Sequence, residues 1–385
     1  MSQPQKDPSL KWKIICAALA ALLVVAIVSI AINVPVTCAP QKPAATVQAV
    51  EQTAMQTVEP VAEAADDPLS LWTEDAKLKK QLTAYIAAVT DENSADYIPL
   101  DHRIAVFDFD GTLFCETDPC YFDYRLLMHR VLEDSDYIDK ASEFEKETAA
   151  KCVRYGQGES IEGLETDHGK AIASSFKGFT VDEFYAYVKA FRDQAAPSYN
   201  GMTNGEGFYR PMLQVIRYLE DNGFTVYVIS GTDRLIVRGA IRDSMLDLPM
   251  AQVIGSDETL VATHQDGMDG LKYQYTQEDE LVTGGEFIIK NLKMNKVTVI
   301  QKEIGVQPVL SFGNSSGDTS MANYTITNNP FRSAAYMLCC DDLERENGNL
   351  EKAQKMLDSC EANGWTAISM KNDWTTIYGE GVTKK

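Results

Sequence analysis

Two aspartates, Asp108 and Asp110, interrupt the apolar run AVFDFDGTLF at residues 105–114. A buried carboxylate without a partner costs several kcal/mol or more, so two of them in a strand-like segment call for a task. Residues two apart in extended chain face the same way. The two carboxylates therefore converge, and they repel unless a cation lies between them. A hard divalent ion with oxygen ligands fits, and Mg2+ is the usual choice beside phosphate. An aspartate beside such an ion can attack phosphorus and carry the phosphoryl group as an aspartyl-phosphate. The second, when protonated, can give its proton to the leaving alkoxide and later take one from water. A calcium loop is excluded, because it needs glycine at its sixth place and Gly111 is fourth from Asp108.

Such residues have to be positioned by a rigid frame. From residue 68 the chain reads as globular, opening with an amphipathic helix over residues 69–89. Short, nearly continuous apolar runs follow: RIAVFDF (103–109), FTVYVIS (224–230), AQVIG (251–255), PVLSFG (308–313) and AAYML (334–338). Runs of this kind mark strands buried on both faces. Helical patterns such as DRLIVRGAIRDSML and KVTVIQKEI lie between them, so the fold class is α/β with a doubly wound parallel sheet. In such sheets ligands bind beyond the carboxyl ends of the strands, which is where Asp108 and Asp110 stand. Two interruptions break the alternation. Residues 115–220 read as an inserted helical domain rich in aromatics, and residues 255–287 read as a β-hairpin flap. The core then comprises 68–114 and 221–385.

DFDGTLF resembles the first motif of the haloacid dehalogenase-like (HAD) phosphatases. The resemblance implies that Asp108 is the nucleophile and Asp110 the general acid and base. VYVISG ends in Ser230, similar to the second motif, whose hydroxyl binds the phosphoryl oxygens. The amides of Gly231 and Thr232 are expected to open the next helix and add donors for an anion. NKVTVIQKEIGVQPVLSFGNSSGD resembles the third and fourth motifs. It implies Lys296 as the group neutralising Asp108 and the phosphoryl, with Asn314 and Asp318 completing an Mg2+ site alongside Asp108 and Asp110. Lys290 and Lys293 compete for the lysine role, and the spacing into the fourth strand favours Lys296. Many relatives carry Asp where Asn314 stands, so weaker metal binding and greater weight on Asp318 are expected. The insertion after the first motif matches the family's helical cap, as in phosphoserine phosphatases, and a small phosphomonoester is the expected substrate. Glu116, Asp118 and Arg154 are the candidate substrate-binding groups near the cap entrance.

Rival readings follow from other residues. GNSSG (313–317) matches the G-x-S-x-G elbow of serine esterases with Ser315 as nucleophile. The triad order then requires a histidine downstream, whereas His102, His129, His168 and His264 all precede it. A dehalogenase needs no second acid, so Asp110 argues for phosphate. An inert HAD-like binding protein would have no need for four chemically usable motifs. Within the cap, Tyr121, Phe122, Tyr124, Tyr155, Phe176, Phe184, Tyr185, Tyr187 and Phe191 are expected mainly to pack its helices. The alternative is an aromatic cage for a quaternary ammonium group, as in phosphocholine.

The N-terminal segment differs. Lys6, Lys11 and Lys13 precede residues 14–34, which carry no charge. At about 1.5 Å per residue such a helix reaches across a ~30 Å hydrocarbon layer. The expectation is a cytoplasmic segment (1–13), a transmembrane anchor or uncleaved signal (14–34), a flexible linker (35–67) and an exported catalytic part, or a secreted one if the segment is cleaved. Net charge is −21, which argues against nucleic acid or an anionic membrane surface as partner. Six cysteines lie beyond the linker, without CxxC spacing. A Cys115–Cys120 disulfide and free thiols are both open, and the oligomeric state is not legible.

Overall fold

The computed structural model describes residues 67–385. The expected membrane-spanning segment and nearly all of the linker lie outside them. Among the described residues no helix is long and apolar enough to cross a membrane.

Helix α1 (Lys77–Thr90) buries Leu78, Leu82, Ile86 and Val89, one stripe at helical spacing. It starts later than residue 69 because Trp72 is committed elsewhere. The Trp72 indole donates to the Pro211 carbonyl at 3.0 Å, and its ring meets Trp374 edge-on. Strand β1 (Ile104–Phe107) is wholly buried, and its side chains divide by the two-residue period of a strand. Ala105 and Phe107 enter the main core, whereas Ile104 and Val106 enter a second cluster with Ile229, Ile254 and Met321. Both faces of the sheet are therefore covered, as the continuous apolar runs require.

After β1 the chain forms the helical insertion: α2 (Phe122–Met128), α3 (Glu143–Gly156), α4 (Leu164–Ser175) and α5 (Val181–Arg192). Ser142 with Glu145, and Thr180 with Glu183, form capping boxes that fix the starts of α3 and α5. A two-residue strand, β2 (Tyr199–Asn200), follows, then α6 (Arg210–Asp221). The insertion was expected to run to residue 220, but α6 packs on the core sheet and buries Met212, Leu213, Val215, Ile216 and Leu219. It is the crossover helix leading into β3 (Thr225–Asp233).

The remaining elements are α7 (Arg234–Ile241), β4 (Val253–Ala262), β5 (Leu281–Ile289), α8 (Met294–Val299), β6 (Leu310–Gly313), α9 (Thr319–Ile326), β7 (Ala334–Cys339), α10 (Leu350–Asn363), β8 (Thr366–Ser369), α11 (Met370–Asp373) and β9 (Thr383–Lys384). The main sheet has the order β5-β4-β3-β1-β6-β7-β8. All its neighbours are parallel except β4 and β5. Phe107, Phe312 and Tyr336 stack across β1, β6 and β7 with centroids 4.2 and 5.0 Å apart. The expected hairpin exists, but as the sheet's own edge: β4 continues past the parallel ladder and pairs with β5. That edge is bonded to the helical insertion. The Gly178 amide donates to Thr283 O, and the Thr283 amide to Phe179 O, each at 2.9 Å. The six described cysteines are free thiols.

Candidate active site

The site begins where β1 ends. The Asp108 amide still donates to Phe312 O at 2.9 Å, so the carboxylate leaves the last rung of the ladder. The chain then turns sharply, with Phe109 O accepting the amides of Leu113 and Phe114 at 2.8 and 3.0 Å. Gly111 makes the turn possible. Its φ is +73°, and a Cβ there would lie 1.8 Å from Asn314 Nδ2 and 2.6 Å from the Glu116 carboxyl. Neither the left-handed backbone nor the close approach admits a side chain.

Lys296, from α8, is fully buried. Its Nζ lies 2.5 Å from Asp108 Oδ1, 2.7 Å from Asp318 Oδ1 and 2.6 Å from Ile229 O. An ammonium has three donors, and all three are used. Burial alone would lower its pKa, but Asp108 and Asp318 outweigh that and hold it above the ordinary value. Burial, then the charge of Asp318, pushes the Asp108 carboxyl up to about 7 against the pull of Lys296. Asp110 Oδ2 accepts from Thr232 Oγ1 at 2.7 Å. Burial, then the Asp123 charge, holds the Asp110 carboxyl well above its usual range.

Asp108, Asp110, Asn314 and Asp318 line a cavity of about 230 Å3, shared with Gly231, Thr232, Glu116, Lys290 and Lys293 and with a wall from the helical insertion. Two buried oxygens there, Asp110 Oδ1 and Asn314 Oδ1, have no hydrogen-bond partner. Such atoms fit a cation-binding role. Among the described residues no trio of His, Cys, Asp or Glu side chains closes into a metal cage. Mg2+ needs no such cage: it is held by one or two carboxylates with waters and substrate oxygens filling the remaining positions. The fitting donors are Asp108, Asp110 and the Asn314 carbonyl oxygen.

The sequence profile of the haloacid dehalogenase-like hydrolases matches residues 105–323, more than half the chain. This chain belongs to that family. A search of curated proteins gave no match. Among solved structures, a conserved protein of unknown function from Anaerococcus prevotii is 14% identical, with 75% of this chain and 91% of that one covered and a TM-score of 0.45. Cytosolic 5'-nucleotidase IIIB bound to cytidine is 12% identical, with 77% and 87% covered and a TM-score of 0.45. A phosphoserine phosphohydrolase-like protein from Francisella tularensis is 14% identical, with 61% and 87% covered and a TM-score of 0.34.

Several residues of this HAD hydrolase stand elsewhere than expected. Ser230 is fully buried, and its Oγ accepts the Thr232 amide at 3.0 Å. Gly231 and Thr232 still belong to β3. The helix starts only at Arg234, with Asp233 as its cap accepting from Leu235 N at 2.8 Å. Asp318 is a clamp more than a ligand. Its Oδ1 meets Lys296, and its Oδ2 accepts from Asn314 N and Ser315 N at 3.1 Å. Asp118 does not reach the cavity; it pairs with Arg125 at 2.9 Å and accepts the Ser198 amide at 2.6 Å. Arg154 also points away, bonded to Glu159 at 2.9 Å with about half its side chain exposed. Glu116 does line the cavity, and burial pushes its carboxyl up to about 7. Of the cap aromatics, Tyr121, Tyr124 and Tyr155 face the cavity, whereas Phe122, Phe176, Phe184 and Phe191 pack the core. Asp123 and Glu165 line the cavity without having been singled out in the sequence, and Lys290, a rival for the catalytic lysine role, lines it as well. The signal for Asp123 was an acid inside the apolar stretch YFDYRLL, the same anomaly that marks Asp108.

Proposed function

We propose that this protein is an Mg2+-dependent phosphatase acting on a small phosphomonoester through an aspartyl-phosphate on Asp108. One observation carries the reading. Two buried carboxylates at a strand end are matched by a buried lysine on one side and by orphaned oxygens, Asp110 Oδ1 and Asn314 Oδ1, on the other. When bound, Mg2+ would supply positive charge to the phosphoryl oxygens and favour the ionised form of Asp108.

The chain's own residues supply the rest. Lys296 holds Asp108 in one orientation and offsets its charge. Thr232 orients Asp110, which stands two residues from the nucleophile, where a carboxyl can give a proton to the leaving oxygen. Having lost that proton, Asp110 can take one from the water that opens the acyl phosphate. The Thr232 and Gly231 segment borders the cavity where phosphoryl oxygens would lie. Ser315 has no role as nucleophile in this reading. Its hydroxyl is tied to Asp318 Oδ2 at 3.2 Å, and none of the four histidines lines the cavity. The uncharged run at 14–34 supports an anchored, extracytoplasmic location. The test is hydrolysis of p-nitrophenyl phosphate with Mg2+ and with a chelator. Turnover that needs Mg2+ and vanishes in Asp108→Asn is expected. Chelator-insensitive hydrolysis of p-nitrophenyl acetate would point to Ser315 instead.

A further inference from the structure

The cavity is built from two sources with different chemistry. The core brings the reacting carboxylates and two lysines, Lys290 and Lys293. The helical insertion brings three carboxylates, Glu116, Asp123 and Glu165, three tyrosines, Tyr121, Tyr124 and Tyr155, and two aliphatic side chains, with no Lys, Arg or His. With a phosphoryl group at Asp108, the remainder of an ester must extend among these groups.

The tyrosines form one continuous wall. Tyr124 meets Tyr121 and Tyr155 edge-on at 5.2 and 5.3 Å, and Tyr121 stacks on Tyr155 at 5.8 Å. Asp123 is only 2% exposed yet borders the cavity. Its carboxylate accepts no hydrogen bond among the described residues; its nearest basic neighbours are His168 Nδ1 at 3.7 Å, an imidazole whose pKa burial lowers to about 4 and which so stays neutral, and Lys290 Nζ at 4.0 Å. The His168 Nε2 contact, at 3.1 Å, goes to the Asp123 main-chain carbonyl instead. A buried carboxylate so poorly partnered is costly, and a ligand cation would answer it. A leaving group with its own carboxylate would instead be pressed against Glu116, Asp123 and Glu165. A neutral alcohol would leave Asp123 as it is.

Resting on the phosphatase reading, we infer that the substrate is the phosphate ester of an amino alcohol, its ammonium group held by Asp123 and by the faces of Tyr121, Tyr124 and Tyr155. The experiment compares kcat/KM for phosphocholine and phosphoethanolamine with that for 3,3-dimethylbutyl phosphate, the neutral isostere of the former. p-Nitrophenyl phosphate reports the phosphatase chemistry itself. At least one ammonium ester should exceed the isostere by about 30-fold, the factor that a desolvated cation–π contact of about 2 kcal/mol provides. The ester that does so tells a quaternary group from a protonated amine. Asp123→Asn should lower that ratio severalfold, and Asp123→Glu should restore part of it. Equal values for ammonium and neutral esters, with p-nitrophenyl phosphate turned over, would overturn the subsite and leave the phosphatase standing. Absence of turnover for every ester would overturn the phosphatase reading. Calorimetry on Asp108→Asn then judges the subsite alone: phosphocholine or phosphoethanolamine should bind more tightly than the isostere, and equal affinities overturn it.

Discussion

Replacing Lys296 with methionine isolates the interaction on which the site depends. The side chain keeps its approximate length and loses its charge. Asp108 Oδ1 and Asp318 Oδ1 lie 2.5 and 2.7 Å from the same Nζ, so the two oxygens are no more than about 5 Å apart, where like charges repel by about 3 kcal/mol at an effective dielectric near 20. Breaking a buried pair by removing one partner costs about 3–5 kcal/mol in general, in agreement. The penalty depends on pH, and its sign can be worked out. A carboxyl whose folded pKa exceeds its unfolded value binds more protons when folded, so stability falls as pH rises through the interval between the two values. For Asp108 that interval runs from the ordinary 3.8 to about 7. Without Lys296 the upper edge moves higher. Variant and parent should therefore differ most above pH 7 and converge below it.

Urea denaturation in metal-free buffer at pH 8 and pH 5.5 measures this directly. The expected loss is about 3 kcal/mol at pH 8, shrinking to about 1 or less at pH 5.5. Adding Asp318→Asn to Lys296→Met removes one of the two repelling charges. The double variant should regain most of the stability while remaining inactive, because nothing then offsets Asp108 during phosphoryl transfer. A small loss that is the same at both pH values would show that Lys296 does not bridge the two carboxylates, and the assignment of Lys296 over Lys290 and Lys293 would fall with it.

Asp108→Asn should lower kcat by several orders of magnitude while leaving the far-UV circular dichroism that of the folded parent. Gly111→Ala should both destabilise the protein, by more than about 1 kcal/mol for a strained positive φ, and impair turnover, because the new Cβ meets Asn314 Nδ2; a fully active, equally stable variant would contradict the turn geometry. Glu258 is buried with both carboxylate oxygens unpartnered, and burial, then the Asp233 charge, pushes it up to about 9. The folded state thus keeps a proton that the unfolded chain releases, so stability should fall by on the order of 1 kcal/mol per pH unit between pH 6 and 9. Glu258→Gln should flatten that slope in thermal melts.

The strand ends were legible because their chemistry is written in consecutive residues. An apolar run broken by carboxylates, a run ending in Ser-Gly, and a lysine spaced ahead of another apolar run can each be found without knowing what packs on what. The groups that would meet the leaving alcohol were not legible in this way. They come from separate helices of the insertion, and which helical face points inward is decided by tertiary contacts. Asp118 and Asp123 illustrate this: both are acids near the cap entrance, but Arg125 and the Ser198 amide take the first out of the cavity, while no comparable partner takes the second. Strand β8, TAIS, escaped notice because it is short and its face is only partly buried.

Asn314 shows how far sequence logic reaches when geometry is added. Its side chain is neutral where the family resemblance leads one to expect an aspartate, and charge counting alone suggests only a weaker metal site. The structure supplies a reason for the change. A Cβ on Gly111 would touch both Asn314 Nδ2 and the Glu116 carboxyl, so the amide nitrogen and Glu116 crowd the same spot, and Asn314 lowers the Glu116 carboxyl's pKa against the burial that raises it. With its nitrogen turned toward Glu116, the carboxamide leaves Oδ1 unpartnered for a cation. An aspartate there would set two carboxylates against each other in a buried site already holding Asp108, Asp110 and Asp318. The asparagine keeps an oxygen available to a cation and a donor available to Glu116, so that an acidic group can stand in the cavity wall without a second carboxylate against it.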